Sequence, residues 1–392
     1  MTKTNFILSD HYDNWLNLNP LTLTKPVSAL RIGITTIQEK WESFLGTKTQ
    51  LKTCAPHLKS LDTWEQHLGE TYIFINACII PSPELVSSIL NLKEGESLYQ
   101  EGLSIASKII IGNQSFEKEI QYPKELISIQ YPWDIFSKNE MILKQDFEQI
   151  TKGRKSQPLS SSNTIIGPHE FIFLEEGAKV EASNLNTDNG PIYIGKNAEI
   201  MEGSSIRGGL ALCDSASLKL GTKIYGATTI GPHSKIGGEV NNSVVQGYTN
   251  KGHDGFLGNS VIGEWCNLGA DTNNSNLKNN YGIVSVYNYN KKAYVTSNLQ
   301  FVGLIMGDHS KCGINTMFNT GTVVGVFANI FGGDFPPKYI PSFSWGGAAG
   351  FTPYDLDKAF EVADKVMERR GIRLGAEDKE ILKHIHSTET IT

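Results

Sequence analysis

The sequence predicts a parallel β-helix of hexapeptide repeats, preceded by an α/β domain and closed by a helical segment. Three observations predict it. From residue 194 apolar residues recur at a fixed step of six, at Ile194, Ile200, Ile206, Leu212, Leu218, Ile224, Ile230 and Ile236. Residues 1–155 instead alternate strand-like and helix-like segments, the mark of an α/β domain. Beyond Gly350 the apolar spacing becomes helical.

Taken in order, the strand-like FILS (6–9) leads through a polar loop to PLTLTKPVSALRIG (20–33) and a helix-like TTIQEKWESFL (35–45). A strand at 71–80, a helix at 83–92 and a strand at 104–111 follow. Pro158 and Ser160–Ser162 mark a linker. The β-helix is expected over 163–345. A helix would repeat apolar residues at three and four and a strand at two, so neither explains a step of six. Three hexads make one coil, each short strand sending one aliphatic side chain inward. Gly195, Gly231 and Gly237 follow ladder positions, where the chain turns tightly.

The register returns at Phe256, Ile262 and Leu268, and again at Met306, Cys312, Phe318, Val324 and Ile330. Between these runs, residues 241–255 and 271–303 leave the ladder and are expected to loop out, where binding and catalytic groups concentrate. In the last segment, 350–392, Leu356, Phe360, Ala363 and Met367 form one helical face, Arg369–Arg370 fall in its last turn and Gly371 stops it. A second short helix is expected at about 376–386.

The composition narrows the function. With 39% apolar residues, the 392-residue chain can bury a real core. A net charge of −6 argues against nucleic acid as a partner. Thirty-eight glycines without a Gly-X-Y period are not collagen. Five scattered cysteines form no C-x-x-C pair, which points to reduced thiols in a cytoplasmic protein. No run of 18 apolar residues suggests a membrane span. His169, His233, His253 and His309 stand far apart, so no metal site is expected.

The motifs then carry a resemblance. Residues 239–272 contain Glu239-Val-Asn-Asn-Ser, Lys251-Gly-His253, Leu257-Gly258, Ile262-Gly263, Asn267 and Gly269-Ala270, all in step with an acetyltransferase pattern. Asn280-Tyr281-Gly282 is similar to that pattern's Asn-Tyr-Asp-Gly. Upstream, Pro20-Leu-Thr-Leu-Thr-Lys-Pro resembles a nucleotidyltransferase loop. The chain therefore resembles the GlmU-like bifunctional sugar-1-phosphate nucleotidyltransferase/acetyltransferase family, in a divergent form with a shortened N-terminal domain. The resemblance implies a left-handed β-helix, a homotrimer, and an acyl-CoA site in the groove between adjacent subunits.

It also implies roles. Acyl transfer from a thioester to an amine needs a base, and histidine, with a free pKa of about 6.5, suits neutral pH. His253 is the implied base, and Lys251, Asn267, Asn280 and Tyr281 are the implied substrate contacts, with acetyl-CoA as the donor. The implied acceptor is an amino-sugar phosphate or a nucleotide-sugar. Asn241 stands where the pattern has lysine and Phe256 where it has tyrosine. In the N-terminal half a glycine-rich phosphate loop is replaced by DHYDNWLNLN, leaving Lys25 and Arg31 as candidate nucleotide contacts. Cys78 falls where the family's aspartate binds Mg2+, so Mg2+ is expected only if this domain is active. A sugar-1-phosphate nucleotidyltransferase using UTP or dTTP, and a non-catalytic sugar-nucleotide-binding scaffold, remain open readings.

Overall fold

The structure is a computed structural model that describes residues 4–112 and 118–389. Residues 1–3 and 113–117 of the expected first domain, and 390–392 of the expected last one, lie outside the described residues. Two compact units emerge. One comprises Met1–Leu18, Thr24–Leu30 and Thr35–Tyr131; the other comprises Asn19–Leu23, Arg31–Ile34 and Pro132–Thr392.

The first unit is built on a mixed sheet. Strand Thr4–Ser9 lies parallel to Gln50–Lys52 and Thr71–Asn76. Leu103–Ile110 runs antiparallel to Thr71–Asn76 and to Glu96–Gln100, and Lys118–Gln121 closes the edge. Helices α1 (Tyr12–Leu18), α2 (Ile37–Leu45) and α3 (Pro83–Leu90) accompany it. Thr36 and Glu39 form a reciprocal capping box at the start of α2, and Gly46 ends it in the left-handed region. The strand expected over 71–80 stops at Asn76, whose Oδ1 accepts from Cys78 N and turns the chain.

The second unit is the predicted parallel β-helix. Its strands form three stacked faces, called I, II and III in the order the chain visits them from Ile172 onward. On face I, Leu174, Ile194, Leu212, Ile230 and Val245 stand in register. On face II the row is Val180, Ile200, Leu218, Ile236. On face III it is Leu185, Ile206, Ile224, Val240, Leu257. These rows, with Met306, Cys312, Phe318, Val324 and Ile330 above them, form one buried column inside the prism.

One expected break does not exist. Residues 241–255 stay in the coil, as strands Glu239–Asn241, Val244–Gly247 and Asn250–Lys251. The interior step contracts here, passing through Val240 and Val245 to Lys251, which pairs with Ile236. The ladder therefore resumes inside at Leu257, while Phe256 sits opposite Glu239 and faces out. The second break is real beyond Asn274: both ends of 275–303 are pinned at the corner between faces III and I, where Asn276 Nδ2 donates to Asn259 Oδ1 (2.8 Å) and Gly303 N to Asn259 O (2.8 Å). Within it, Ser285–Asn288 and Ala293–Thr296 form a hairpin whose Tyr287 stacks on Tyr339 at 3.7 Å.

The three faces meet different surroundings. Face I is covered by α4 (Pro132–Thr151), a helix with no counterpart among the expected elements. Leu143 and Phe147 of α4 pack on Phe173, Tyr193 and Ala211, and Asn139 Nδ2 donates to Ala227 O (2.9 Å). The corner between faces I and II carries a column of rings. His233, Tyr248, Trp265, His309, Phe327 and Phe343 all adopt positive φ, and neighbouring centroids lie 4.2–6.3 Å apart. Left-handed backbone costs a non-glycine residue roughly 1–2 kcal/mol, and each aromatic stacking contact returns about 0.5–1.5 kcal/mol. Helices α5 (Leu356–Glu368) and α6 (Ala376–Glu389) reach this corner, where His386 meets Phe343 edge-on. On α5 the buried stripe is Ala359, Ala363 and Met367, with Phe360 half-buried beside it. Face III stays open, its strands Ser205–Arg207 and Lys223–Tyr225 each exposing two residues around one buried.

Candidate functional site

The second corner, between faces II and III, displays His253. Its exposure follows from the residue before the turn. Lys251 occupies an interior ladder position and is 1% exposed, an ammonium where the rows above and below carry aliphatic groups. Its Nζ donates to three carbonyls: Gly237 O (2.9 Å), His253 O (3.0 Å) and Gly255 O (2.8 Å). Residues 252–255 thus curl over a buried cation, which projects the His253 side chain into solvent. Burial pushes the Lys251 ammonium down to about 8, with Asp254 drawing it back up. The fit is close: a Cβ on Gly237 would lie 2.6 Å from Gly252 O, and one on Gly255, whose φ is +118, would lie 2.2 Å from Thr272 O. Lys251 was expected to touch substrate; it instead builds the turn from beneath.

Asn267 stands on face II, short of the turn that carries His253. It lies one coil above Asn250 on face II, and its Oδ1 accepts from Asn250 Nδ2 at 3.1 Å. Asn280 and Tyr281 are not brought there. They stand on the 275–303 excursion, at the other edge of face III, with Tyr281 68% exposed. Asn280 Oδ1 accepts from Gly282 N (3.0 Å) and Tyr281 O from Gln300 Nε2 (3.0 Å), so the excursion is internally fastened. Within one chain, face III is bordered by His253 on one side and by Asn280–Tyr281 on the other. A further pair was not foreseen: Glu239, whose N–H donates to Gly255 O, accepts from Tyr225 Oη at 2.5 Å on the open face beside the His253 turn. Its only sequence signal was the position of Glu239 at the head of the motif.

The N-terminal candidates fall in different units: Lys25 in the first, Arg31 in the second. Lys25 is half-buried, with its Nζ out of solvent. Arg31 is tied to the solenoid by its backbone, N to Gln246 Oε1 (2.6 Å) and O from Gln246 Nε2 (3.1 Å), while Nη1 reaches Ile34 O. Where a glycine-rich loop was absent from the sequence, α1 follows the first strand and Asp10 lies between them, 7% exposed. Its Oδ1 accepts from Val27 N (3.1 Å), and burial pushes its carboxyl up to about 7.

That shift has a testable sign. The folded chain holds a proton on Asp10 between about pH 4 and 7 that the unfolded chain has released, so stability falls as pH rises through this window. About three pKa units correspond to roughly 4 kcal/mol for the buried charge at pH 8. Asp10→Asn keeps an oxygen for Val27 N and is expected to raise Tm relative to wild type more at pH 8 than at pH 4. Equal Tm differences at both values would contradict the assignment.

Residues 6–155 match the sugar nucleotidyl transferase family model. The chain also aligns with bifunctional proteins: 37% identity over 87 residues with the bifunctional protein GlmU of Methanocaldococcus jannaschii, covering 22% of this chain and 21% of that one. A bifunctional sugar-1-phosphate nucleotidylyltransferase/acetyltransferase of Sulfurisphaera tokodaii is 27% identical over 218 residues, 55% of this chain and 47% of its own. Over these stretches the chain is similar to GlmU-type bifunctional proteins. It spans less than half the length of these relatives. Among solved structures, an Arabidopsis UDP-N-acetylglucosamine acyltransferase aligns over 55% of this chain and 77% of its own, at 13% identity and a TM-score of 0.24.

The resemblance expects Mg2+ at the position that Cys78 occupies. Cys78 is fully buried, and Asn76 beside it is engaged with Cys78 N and with Ser104 O. A hard cation prefers oxygen ligands, and this pair presents a thiol and a committed amide. The position does not fit Mg2+. Among the described residues, no helix is long and apolar enough to cross a membrane.

Proposed function

We propose that this chain is an acetyl-CoA-dependent acyltransferase acting on an amino-sugar phosphate or a nucleotide-sugar, with His253 as its general base. The observation that carries the reading is the His253 turn: an exposed imidazole held on a rigid corner by a buried lysine, with the open face III at its edge. The amine nitrogen attacks the thioester carbonyl while the imidazole takes its proton. The tetrahedral intermediate collapses with cleavage of the C–S bond, and the imidazolium returns the proton to the departing thiolate. Asn267 orients the acceptor, Lys251 positions the base, and a backbone N–H of a coil stabilises the oxyanion. The resemblance to GlmU-like relatives supports both the donor and the class of acceptor.

A homotrimer fits this reading. His253 and the Asn280–Tyr281 excursion border opposite edges of face III, so packing through that open face lets one copy's histidine meet the excursion of the next. A nucleotidyltransferase remains the second reading, favoured by the family match over 6–155. The buried Asp10 and the Asn76–Cys78 pair argue against it, because they offer neither a phosphate cradle nor a Mg2+ ligand set. A structure of the full chain with acetyl-CoA and glucosamine 1-phosphate tests the proposal. The acceptor amine is expected within hydrogen-bond reach of the His253 ring, with Tyr281 of a neighbouring copy against the sugar. Ligand bound elsewhere, with His253 bare, would reject it.

A further inference from the structure

Face II carries two cations, and the end of α5 brings two more to its edge at the corner of the ring column. Lys235 stands opposite Ser217 on adjacent coils, and Lys219 N donates to Ile236 O at 2.7 Å, which sets Lys219 beneath Gly237. At the end of α5, Arg370 Nη2 donates to His233 O at 3.3 Å, and Arg369 precedes it at the helix terminus. The clustering registers on Lys235, which burial lowers first and which Arg370, Lys219 and Arg369 then lower further. Among the described residues, none of the four forms an ion pair. The nearby Asp214, which acts on His233, already accepts from Lys196 N.

Cations crowded together with no ion-pair partner among the described residues, on a chain of net charge −6, describe a surface shaped for an anion. Two are guanidinium groups, whose planar forks suit phosphate oxygens. Above the patch, the outward row on face II continues through Asn250 to Asn267, polar but uncharged. Gly237 separates Lys219 from the His253 turn, so Lys219, the member of the patch nearest that turn, lies two strand spacings from it, roughly 10 Å. We propose that Lys219, Lys235, Arg369 and Arg370 form a polyphosphate site, and that it holds the nucleotide phosphates of the acyl donor. The donor assignment rests on the acyltransferase reading; the phosphate site does not. A thioester arm extended from the patch along the asparagine row ends at His253.

Calorimetry on the full chain separates the possibilities, using coenzyme A, its 3′-dephospho form, glucosamine 1-phosphate and inorganic pyrophosphate. The arginines are exposed, so the R369A/R370A double variant is expected to fold. It is expected to lose at least tenfold in affinity for coenzyme A, with a smaller loss for the dephospho form and none for glucosamine 1-phosphate. Wild-type binding of coenzyme A should weaken as salt rises. Equal binding of coenzyme A by wild type and variant would overturn the site. A loss confined to glucosamine 1-phosphate would overturn the donor assignment. If wild type ignores coenzyme A, the acyltransferase reading fails; pyrophosphate affinity that falls in the variant would still uphold the phosphate site.

Discussion

His253→Ala is expected to cut the rate of acetyl transfer by roughly 10²–10⁴-fold, the usual contribution of a positioned general base. The loss should fall in kcat, with the affinity for coenzyme A unchanged, because the imidazole is placed to take a proton and not to hold the donor. Stability should not move: the side chain is exposed, and what anchors the turn is the backbone carbonyl of residue 253, which alanine keeps. Initial rates of thiol release and a thermal melt read the two effects separately. A rate within threefold of wild type would remove His253 from the chemistry.

Lys251→Ala is expected to destabilise the solenoid by about 3–5 kcal/mol. Three buried carbonyls lose a charged donor, each such bond contributing about 1.5–3 kcal/mol without being additive, and a cavity opens in the prism. Loss of stability alone would not distinguish a positioning role. Lys251→Met fills the same space with an apolar chain, matching the interior rows above and below, and should recover much of the melting temperature. It cannot hold the carbonyls of His253 and Gly255, so its kcat should stay at least tenfold low. A methionine variant with wild-type kcat would show that Lys251 only fills space.

The fold was legible wherever the period was kept. A step of six over Ile194–Ile236 admits one architecture, and the upper run from Met306 to Ile330 extends it. Period counting failed where the coil shortened. Between Ile236 and Leu257 the interior positions draw together and one of them is a lysine, so hydropathy saw a polar loop where the chain keeps coiling. The ring column at the first corner was invisible for a related reason: its members, from His233 to Phe343, recur at uneven intervals because coils differ in length. Helix α4 escaped notice because its buried set includes Asn139 and Asp146, which serve the backbone of Gly33 and Ile34.

The candidate site was legible in part. Motif spacing singled out His253 and Asn267; the structure sets His253 on the exposed turn between faces II and III and Asn267 on face II, one coil beyond Asn250. The spacing could not reveal that Lys251 points inward, since a sequence does not state which side of a strand a lysine takes when the step contracts. Nor could it separate Asn280–Tyr281 from His253, because the corner from which an excursion leaves is fixed by coil geometry and not by distance along the chain. Arg31 was read as a candidate nucleotide contact; its backbone is paired with Gln246, more than two hundred residues away, a contact that local pattern cannot show.

Thiol release by the purified chain, supplied with acetyl-CoA and a panel of amino-sugar phosphates, tests the central claim most directly. The account predicts release that depends on one of these acceptors, saturates with it, and is lost in His253→Ala. No acceptor-dependent release from any of them, alongside pyrophosphate release from UTP or dTTP and a sugar 1-phosphate, would contradict it.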